Sequence, residues 1–377
     1  MESVNEKKFR EKVLKEDEKK SHWRFGIPII ILLTIVPYLI SGYLTGIIIG
    51  LMIMVIISVG LNLLMGYTGQ FSLGHAAFVA IGAYSTAFAV NHLSLPFIIA
   101  LLLGGVIAAV ISLVIGIPAL RIEGLYLAIA TMGFAFIIDE VIDQWESFTG
   151  GAGGISVTPA SIFGFSFTTD ISFYYLSLFF TITLVIMTKN IAVSSIGRSF
   201  IAVRDSEEAA QAHGISITKA KVLAFFISAF YAGIAGGLSA FYLRFISPEN
   251  FTLAHSIEYV VMVVVGGMSS IYGSVIGALI IGFLPHLVIM LKDFIPPLLE
   301  GLLPGFPVIT QFVGSVLGNP DFRFLIYGVI MLLFIVYEPA GIYGIWLRFK
   351  FYWKKFPFNR KKVKFKGKRM LLYKSYR

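Results

Sequence analysis

Cysteine is absent from the 377 residues, which excludes a disulfide framework, thiol catalysis and any Cys-based zinc site. Charge is scarce as well. Only 14% of residues are Asp, Glu, Lys or Arg, against about 25% in an average soluble domain. Catalytic signatures are also missing: there is no HExxH pair, no GxSxG elbow and no convincing carboxylate dyad. The glycine-rich run Thr149–Ile155 (TGGAGGI) has no Lys-Ser/Thr after it and no strand before it, so it is not a phosphate-binding loop. It reads as a turned surface loop, with reception of a delivered ligand as a second reading. Neither an enzyme, nor a cofactor, nor a metal site is expected.

What the chain has instead is apolar length. It is 57% hydrophobic with a mean hydropathy of +0.85, and the excess lies in runs long enough to cross a bilayer. Apolar segments fall at 25–42, 43–65, 70–90, 96–116, 124–142, 171–188, 221–243, 257–268, 271–291 and 323–345. They predict an all-α polytopic membrane protein with about ten transmembrane helices. The segment 257–268 is short and ends in Gly266-Gly267. It reads either as a broken or tilted crossing or as a re-entrant segment buried among other helices.

Charge placement sets the orientation. The formal charge of +9 suggests nucleic acid at first sight, but 13 of the 30 Lys/Arg crowd into 346–377, where there is no Asp or Glu. In a membrane chain such a tail reads as a cytosolic, lipid-facing anchor. Its alternation of base and aromatic from Arg348 to Lys355 suits the interface, while a solvated basic tail is an equal reading beyond Asn359. With ten crossings and both termini inside, 27 of the 30 Lys/Arg fall on the cytosolic side, leaving Arg244, Lys292 and Arg323. The loop 143–170 has no basic residue but contains Asp143, Glu146 and Asp170. So steep an asymmetry is what the positive-inside rule expects. The chain divides into a charged cytosolic arm (1–24) without a signal-peptide cleavage site, a transmembrane domain (25–345) and the basic tail (346–377).

One long polar stretch interrupts the apolar blocks, Lys189–Lys221, with five Lys/Arg. Inside it Asp205 followed by Glu208 reads as a capping box, and Gly214 stands where a left-handed C-terminal cap ends a helix. About two turns of helix are unstable alone in water. The piece must be held by the membrane domain on one side, and its polar exterior reads as something another protein grips.

Polar chemistry inside the apolar blocks is sparse. Thr68, Gln70, Ser72 and His75 sit among Gly66, Gly69, Gly74 and Gly82. These polar groups either line part of a substrate path or bond to neighbouring helices, and for His75 alone the second reading is preferred. An ion-coupled carrier needs an acidic or histidine relay at mid-membrane depth. Of His75, Glu258 and His286, only Glu258 fits, and it lies near the start of its segment. Energy for active transport must therefore come from elsewhere.

Four blocks, GLNLLMGYTGQFSLGHAAFVAIGAY (60–84), LRIEGLYLAIATMGF (120–134), GRSFIAVRDSEEAAQAHGI (197–215) and VVVGGMSSIYGSVIGALI (263–280), resemble the permease subunits of branched-chain amino acid ABC importers, the LivM type. The likeness covers about 25–345. It implies a type II-like importer permease fold in the cell membrane, paired with a homologous permease (the LivH type), two ATPase subunits and an external amino-acid-binding protein. It also implies that the segment before Ile215 is the coupling helix docked on an ATPase, carried by Arg204, Asp205, Ser206, Glu207, Glu208, Ala209, Ala210 and Gly214. Glu208-Ala209-Ala210 with Gly214 matches the opening of the importer EAA loop, while the later Ile and Leu-Pro of that pattern are missing here. Urea or short-amide permeases look similar, and a self-powered secondary transporter is the alternative from another class.

Overall fold

A computed structural model describes residues 33–117, 124–162, 165–302, 315, 319, 322–338 and 340–355. The arm 1–24, Arg121 and the tail beyond 355 lie outside these residues, and of the expected segment 25–42 only the end is described, helical over 33–39. The long helices are α1 (Gly42–Asn62), α2 (His75–Asn91), α3 (Phe97–Gly116), α4 (Leu125–Gln144) and α5 (Asp170–Val193). Two short helices, α6 (Ser195–Asp205) and α7 (Glu207–Ala212), precede α8 (Ile217–Leu243), α9 (Leu253–Gly266), α10 (Ile271–Leu302), α11 (Phe322–Tyr337) and α12 (Gly341–Lys355). Among the described residues strands are confined to two-residue pairs: β1 (Ile155–Ser156) runs antiparallel to β4 (Phe245–Ile246), and β2 (Ser161–Ile162) to β3 (Phe165–Ser166).

Helix α1 is apolar on every face and buried along most of its length, as a helix at the centre of a bundle must be. Helices α5, α8, α9 and α10 surround it. It ends in a π-helical turn, Leu63–Tyr67, and the chain then runs without helix to His75. The expected helix over 70–90 therefore starts five residues late. Gly69 is in the left-handed region (φ +74°), which no α-helix continues through.

Small residues let the helices meet backbone to backbone, the means by which membrane helices associate. Helix α8 lies against both α2 and α3. A Cβ on Gly236 would lie 2.0 Å from the Val79 carbonyl oxygen, and one on Gly82 2.2 Å from Gly233 Cα. Helices α9 and α10 meet in the same way, with Gly277 against the Met262 carbonyl.

The bundle has two distinct ends. At one, side chains of α6 and α7 reach the end of α1, the α9–α10 break and the start of α8. At the other, Asn91 Nδ2 donates to the Ser156 carbonyl (2.7 Å), Arg244 Nη2 donates to the Thr168 carbonyl (2.7 Å), and β1 pairs with β4.

Among the described residues six helices are long and apolar enough to cross a membrane: Gly42–Tyr67, Phe97–Gly116, Leu125–Gln144, Asp170–Val193, Ile217–Leu243 and Ile271–Pro297. A seventh is added if Leu325–Tyr337 and Gly341–Lys350, bent by 46° to each other, form one span. This is a multi-pass, all-α membrane architecture. Helices α2 and α9 have 17 and 14 residues, short of the ~20 that a helix needs to span. The segment expected at 257–268 is Leu253–Gly266, stopped at Gly267 (φ +119°).

Candidate functional site

The polar stretch folds as two helices where the sequence suggested one. Ser194 caps α6, its hydroxyl accepting from the amides of Ile196 and Gly197. Gly197, Phe200 and Val203, three residues apart, form the buried face. That spacing is present in the sequence, masked by the basic residues around it.

Asp205 does not cap α7, as the sequence suggested. It is the last residue of α6, and its Oδ1 is taken by Arg204 at 3.1 Å. Ser206 is the extended residue between the helices (φ −165°, ψ 121°) and the true N-cap, accepting from the Ala209 amide at 3.2 Å. Glu208 reaches back to the cap, where its Oε2 accepts from the Ser206 hydroxyl at 2.9 Å. This bond, with one from its own backbone amide, holds the Glu208 carboxyl below the usual carboxylate range. Gly214 closes the helix as expected (φ +80°). Its amide donates to the Gln211 carbonyl, and the Ile215 amide to the Ala210 carbonyl at 3.0 Å. These are the paired bonds of a Schellman cap, with Ala210 buried beside Ile215.

The eight residues expected to contact a partner divide by direction. Asp205, Glu208, Ala209 and Gly214 are exposed, as are Gln211, Ala212 and His213. Ser206 caps the helix, and Arg204, Glu207 and Ala210 turn inward. Ala210 is buried, and Glu207 Oε1 pairs with Lys221 Nζ at 2.6 Å, the lysine side chain being only 4% exposed. Arg204, with 14% of its side chain exposed, donates through Nη1 to the Gly66 carbonyl (2.9 Å) and to Ser269 Oγ. Helix α7 is thus a short rigid element capped at both ends, tied to the bundle through its inner face and bare on its outer one.

The second candidate is the non-helical stretch between α1 and α2, whose polar side chains are buried while Phe71 is exposed. Thr68, Gln70, Ser72 and His75 are all under 5% exposed. Thr68 Oγ1 donates to the Leu64 carbonyl (2.5 Å), and Gln70 Nε2 donates to Thr68 Oγ1 (2.9 Å) and to the Lys221 carbonyl (3.4 Å). Among the described residues Gln70 Oε1, Ser72 Oγ and both ring nitrogens of His75 have no hydrogen-bond partner. Buried polar atoms normally find one, so this stretch carries unspent polar capacity, as do Tyr84 Oη, Ser177 Oγ, Ser228 Oγ and His286 Nδ1 elsewhere in the bundle. Its walls are polar too: Thr131 Oγ1 accepts from the Leu73 amide (3.0 Å), and Ser256 Oγ from the Ala76 amide (2.9 Å). Sequence reasoning passed over Thr131 and Ser256, because a single hydroxyl inside an apolar run gives no signal.

Glu258 is 2% exposed and accepts from Tyr327 Oη at 2.9 Å. Its role as a brace between α9 and α11 follows from that contact. Among the described residues no three His, Asp or Glu side chains gather as metal ligands. A crevice of about 440 Å³ opens at the end of the bundle away from α7. Gly42, Gly46, Asp170, Tyr242 and His286 line it, and sequence reasoning did not bring them together.

Residues 43–335 match the family described as the branched-chain amino acid transport system permease component. The chain is 31% identical over 330 residues to the high-affinity branched-chain amino acid transport system permease protein LivM of Salmonella typhimurium, covering 81% of this chain and 71% of that protein. It is also 31% identical over 342 residues to the LivM protein of Escherichia coli, covering 84% and 74%. A probable branched-chain amino acid transport permease protein LivH of Methanocaldococcus jannaschii is 24% identical over 326 residues, covering 81% and 94%. No solved structure gives a significant match.

Proposed function

The chain belongs to the branched-chain amino acid transport permease family, and we propose that it works as one half of a permease pair driven by separate ATPase subunits. It is the membrane permease subunit of an ABC importer for branched-chain amino acids, a transport component and not an enzyme. The urea or short-amide reading is not favoured, since the LivM relatives carry branched-chain amino acids in their names. Similarity to both LivM and LivH proteins supports a partner that is a second, homologous permease.

The observation that carries the coupling mechanism is helix α7. Two turns of helix cannot hold themselves in water, yet here both ends are capped, the inner face is tied by Glu207–Lys221, and Glu208, Ala209, Gln211 and Ala212 face outward. We place this outer face in a groove of a cytosolic ATPase subunit. Closure of the ATPase pair then rocks α7, and the bundle shifts between inward-open and outward-open states whose populations are set by differential binding. A binding protein on the outer side delivers the substrate.

The α7 end of the bundle is then cytosolic, with both termini on that side. Helices α2 and α9 are crossings completed by irregular chain, 68–74 before α2 and 267–270 after α9. With the segment that ends at 39 and the bent pair α11–α12, they bring the count to ten in a type II-like arrangement. The unspent polar atoms of Gln70, Ser72 and His75 face the substrate's path.

Two measurements test this reading. Leucine uptake by cells carrying the complete importer is expected to be competed by isoleucine and valine and untouched by urea; competition by urea alone overturns the substrate assignment. Because the chain has no cysteine, Ala212→Cys and Gly153→Cys each report one face. A membrane-impermeant thiol reagent on intact cells is expected to label Gly153→Cys only, and the reverse pattern overturns the topology.

A further inference from the structure

How a push on α7 reaches the apolar bundle depends on what ties the neighbouring backbone together. We infer that Arg204 is the positioning residue that makes the ATPase-gripped segment and the two broken helices of the bundle move as one body, an inference that rests on the coupling reading above. Arg204 stands one turn before α7. Its Nη1 donates to the Gly66 carbonyl at 2.9 Å and to Ser269 Oγ, while Nε and Nη2 hold Asp205 at 3.3 and 3.1 Å. Ser269 Oγ donates to the same Gly66 carbonyl at 2.7 Å. Three chain breaks therefore converge on one oxygen: the π-turn that ends α1, the gap between α9 and α10, and the junction of α6 with α7.

The surroundings are built for that contact. Asn62 pins the α9–α10 gap from both sides, its Oδ1 accepting from the Ser269 amide (2.9 Å) and its Nδ2 donating to the Ser270 carbonyl (3.1 Å). Gly66 has no room for a side chain, since a Cβ there would lie 1.9 Å from Asn62 Oδ1. Gly69 lets the Arg204 stem lie on the backbone, with Cγ 3.0 Å from where a Cβ would be. Ser269 holds a left-handed conformation (φ +66°) that a serine rarely adopts, and strained backbone of this kind gathers at switch points. A π-turn is likewise a softer place in a helix. Only a guanidinium, always charged and with its donors in a fixed fork, holds a carbonyl, a hydroxyl and a carboxylate together.

The test uses the complete importer in liposomes: this chain, its permease partner, the ATPase pair and the binding protein. Arg204→Lys keeps the charge and loses the fork, and Ser269→Ala removes one shared hydroxyl. The inference expects ATP hydrolysed per leucine imported to rise about fivefold or more in Arg204→Lys and by a smaller factor in Ser269→Ala, as a lost coupling contact requires. Uptake and hydrolysis falling in proportion, or an unchanged ratio, overturns it. A second arm needs no transport. Locking the ATPases with a non-hydrolysable nucleotide is expected to alter hydrogen exchange at amides 267–270 in the wild type and to leave them unaltered in Arg204→Lys; the same response in both overturns the inference. A wild-type complex that imports no leucine refutes the importer reading instead, and the exchange arm still decides the role of Arg204.

Discussion

Reversing the charge of Glu207 and of Glu208 in turn separates two neighbouring acids that the sequence treats alike. Glu207 Oε1 lies 2.6 Å from Lys221 Nζ, and the lysine side chain is 4% exposed while the glutamate side chain is 31% exposed. Glu207→Lys removes the pair and puts a second cation beside a buried one. Two charges 4 Å apart interact by ~4 kcal/mol at an effective dielectric of 20, and breaking a buried pair costs ~3–5 kcal/mol. The new lysine escapes partly to solvent through the exposed third, so ~2–3 kcal/mol is the expected net loss. That corresponds to a fall of roughly 4–12 °C in apparent melting temperature. Glu208 is fully exposed and bonds to the Ser206 cap and its own backbone amide, so Glu208→Lys should shift melting far less while still harming ATPase docking. The assay is thermal unfolding of the purified chain in detergent, read with leucine uptake by the complete importer. Lys221→Glu added to Glu207→Lys restores the pair with its signs exchanged and should recover most of the lost melting temperature. Equal shifts for the two glutamates, or no rescue by the exchange, would refute the reasoning.

Gly214→Val meets no neighbouring atom but forces a branched residue to φ +80°; a loss of ~1–2 kcal/mol in the α7 cap should appear as faster amide exchange at 210–215 and weaker coupling of ATP hydrolysis to uptake. Gly236→Ala drives a Cβ to 2.0 Å from the Val79 carbonyl and should lower stability in detergent by ~1–3 kcal/mol, whereas Gly133→Ala, with open space around it, should not lower it. Glu258→Gln still accepts from Tyr327 Oη, so ATP-driven uptake should persist in it and resist a protonophore; selective loss would indicate a proton relay. The Glu208 carboxyl is held below its usual range by Ser206, so its stabilising contribution is complete above the unfolded carboxyl pKa of about 4.3 and drains away as pH falls through the lower folded value. Amide protection over 207–212, followed from pH 6 downward, should weaken only below that point, and Ser206→Ala should flatten the response.

Apolar run length revealed the helices that a bilayer needs, because a crossing is a strong and local demand on composition. It misplaced the broken ones. Nothing in the run from Gln70 to Gly74 says that helix waits until His75; the reason is tertiary, since a Cβ on Gly74 would lie 2.1 Å from the Thr131 carbonyl and the Leu73 amide is spent on Thr131 Oγ1. The cap of α7 lies one residue beyond the one the sequence suggests, for a related reason. Asp and Ser are both good caps, and the choice fell to Ser206 because Arg204 had already claimed Asp205. Gly214 was legible from its place alone. The inward turn of Arg204 was not, since its partners at Gly66 and Ser269 are separated from it by 138 and 65 residues. A basic residue in a polar loop reads as surface until the fold brings a carbonyl to it.

The central claim is that this chain shapes a route through the membrane and a separate motor drives it. The most direct test is labelled leucine entering liposomes that carry the chain and its permease partner, with and without the ATPase pair, binding protein and ATP. Accumulation against a gradient only when all are present is the predicted result. Accumulation driven by an ion gradient without the ATPases would contradict it.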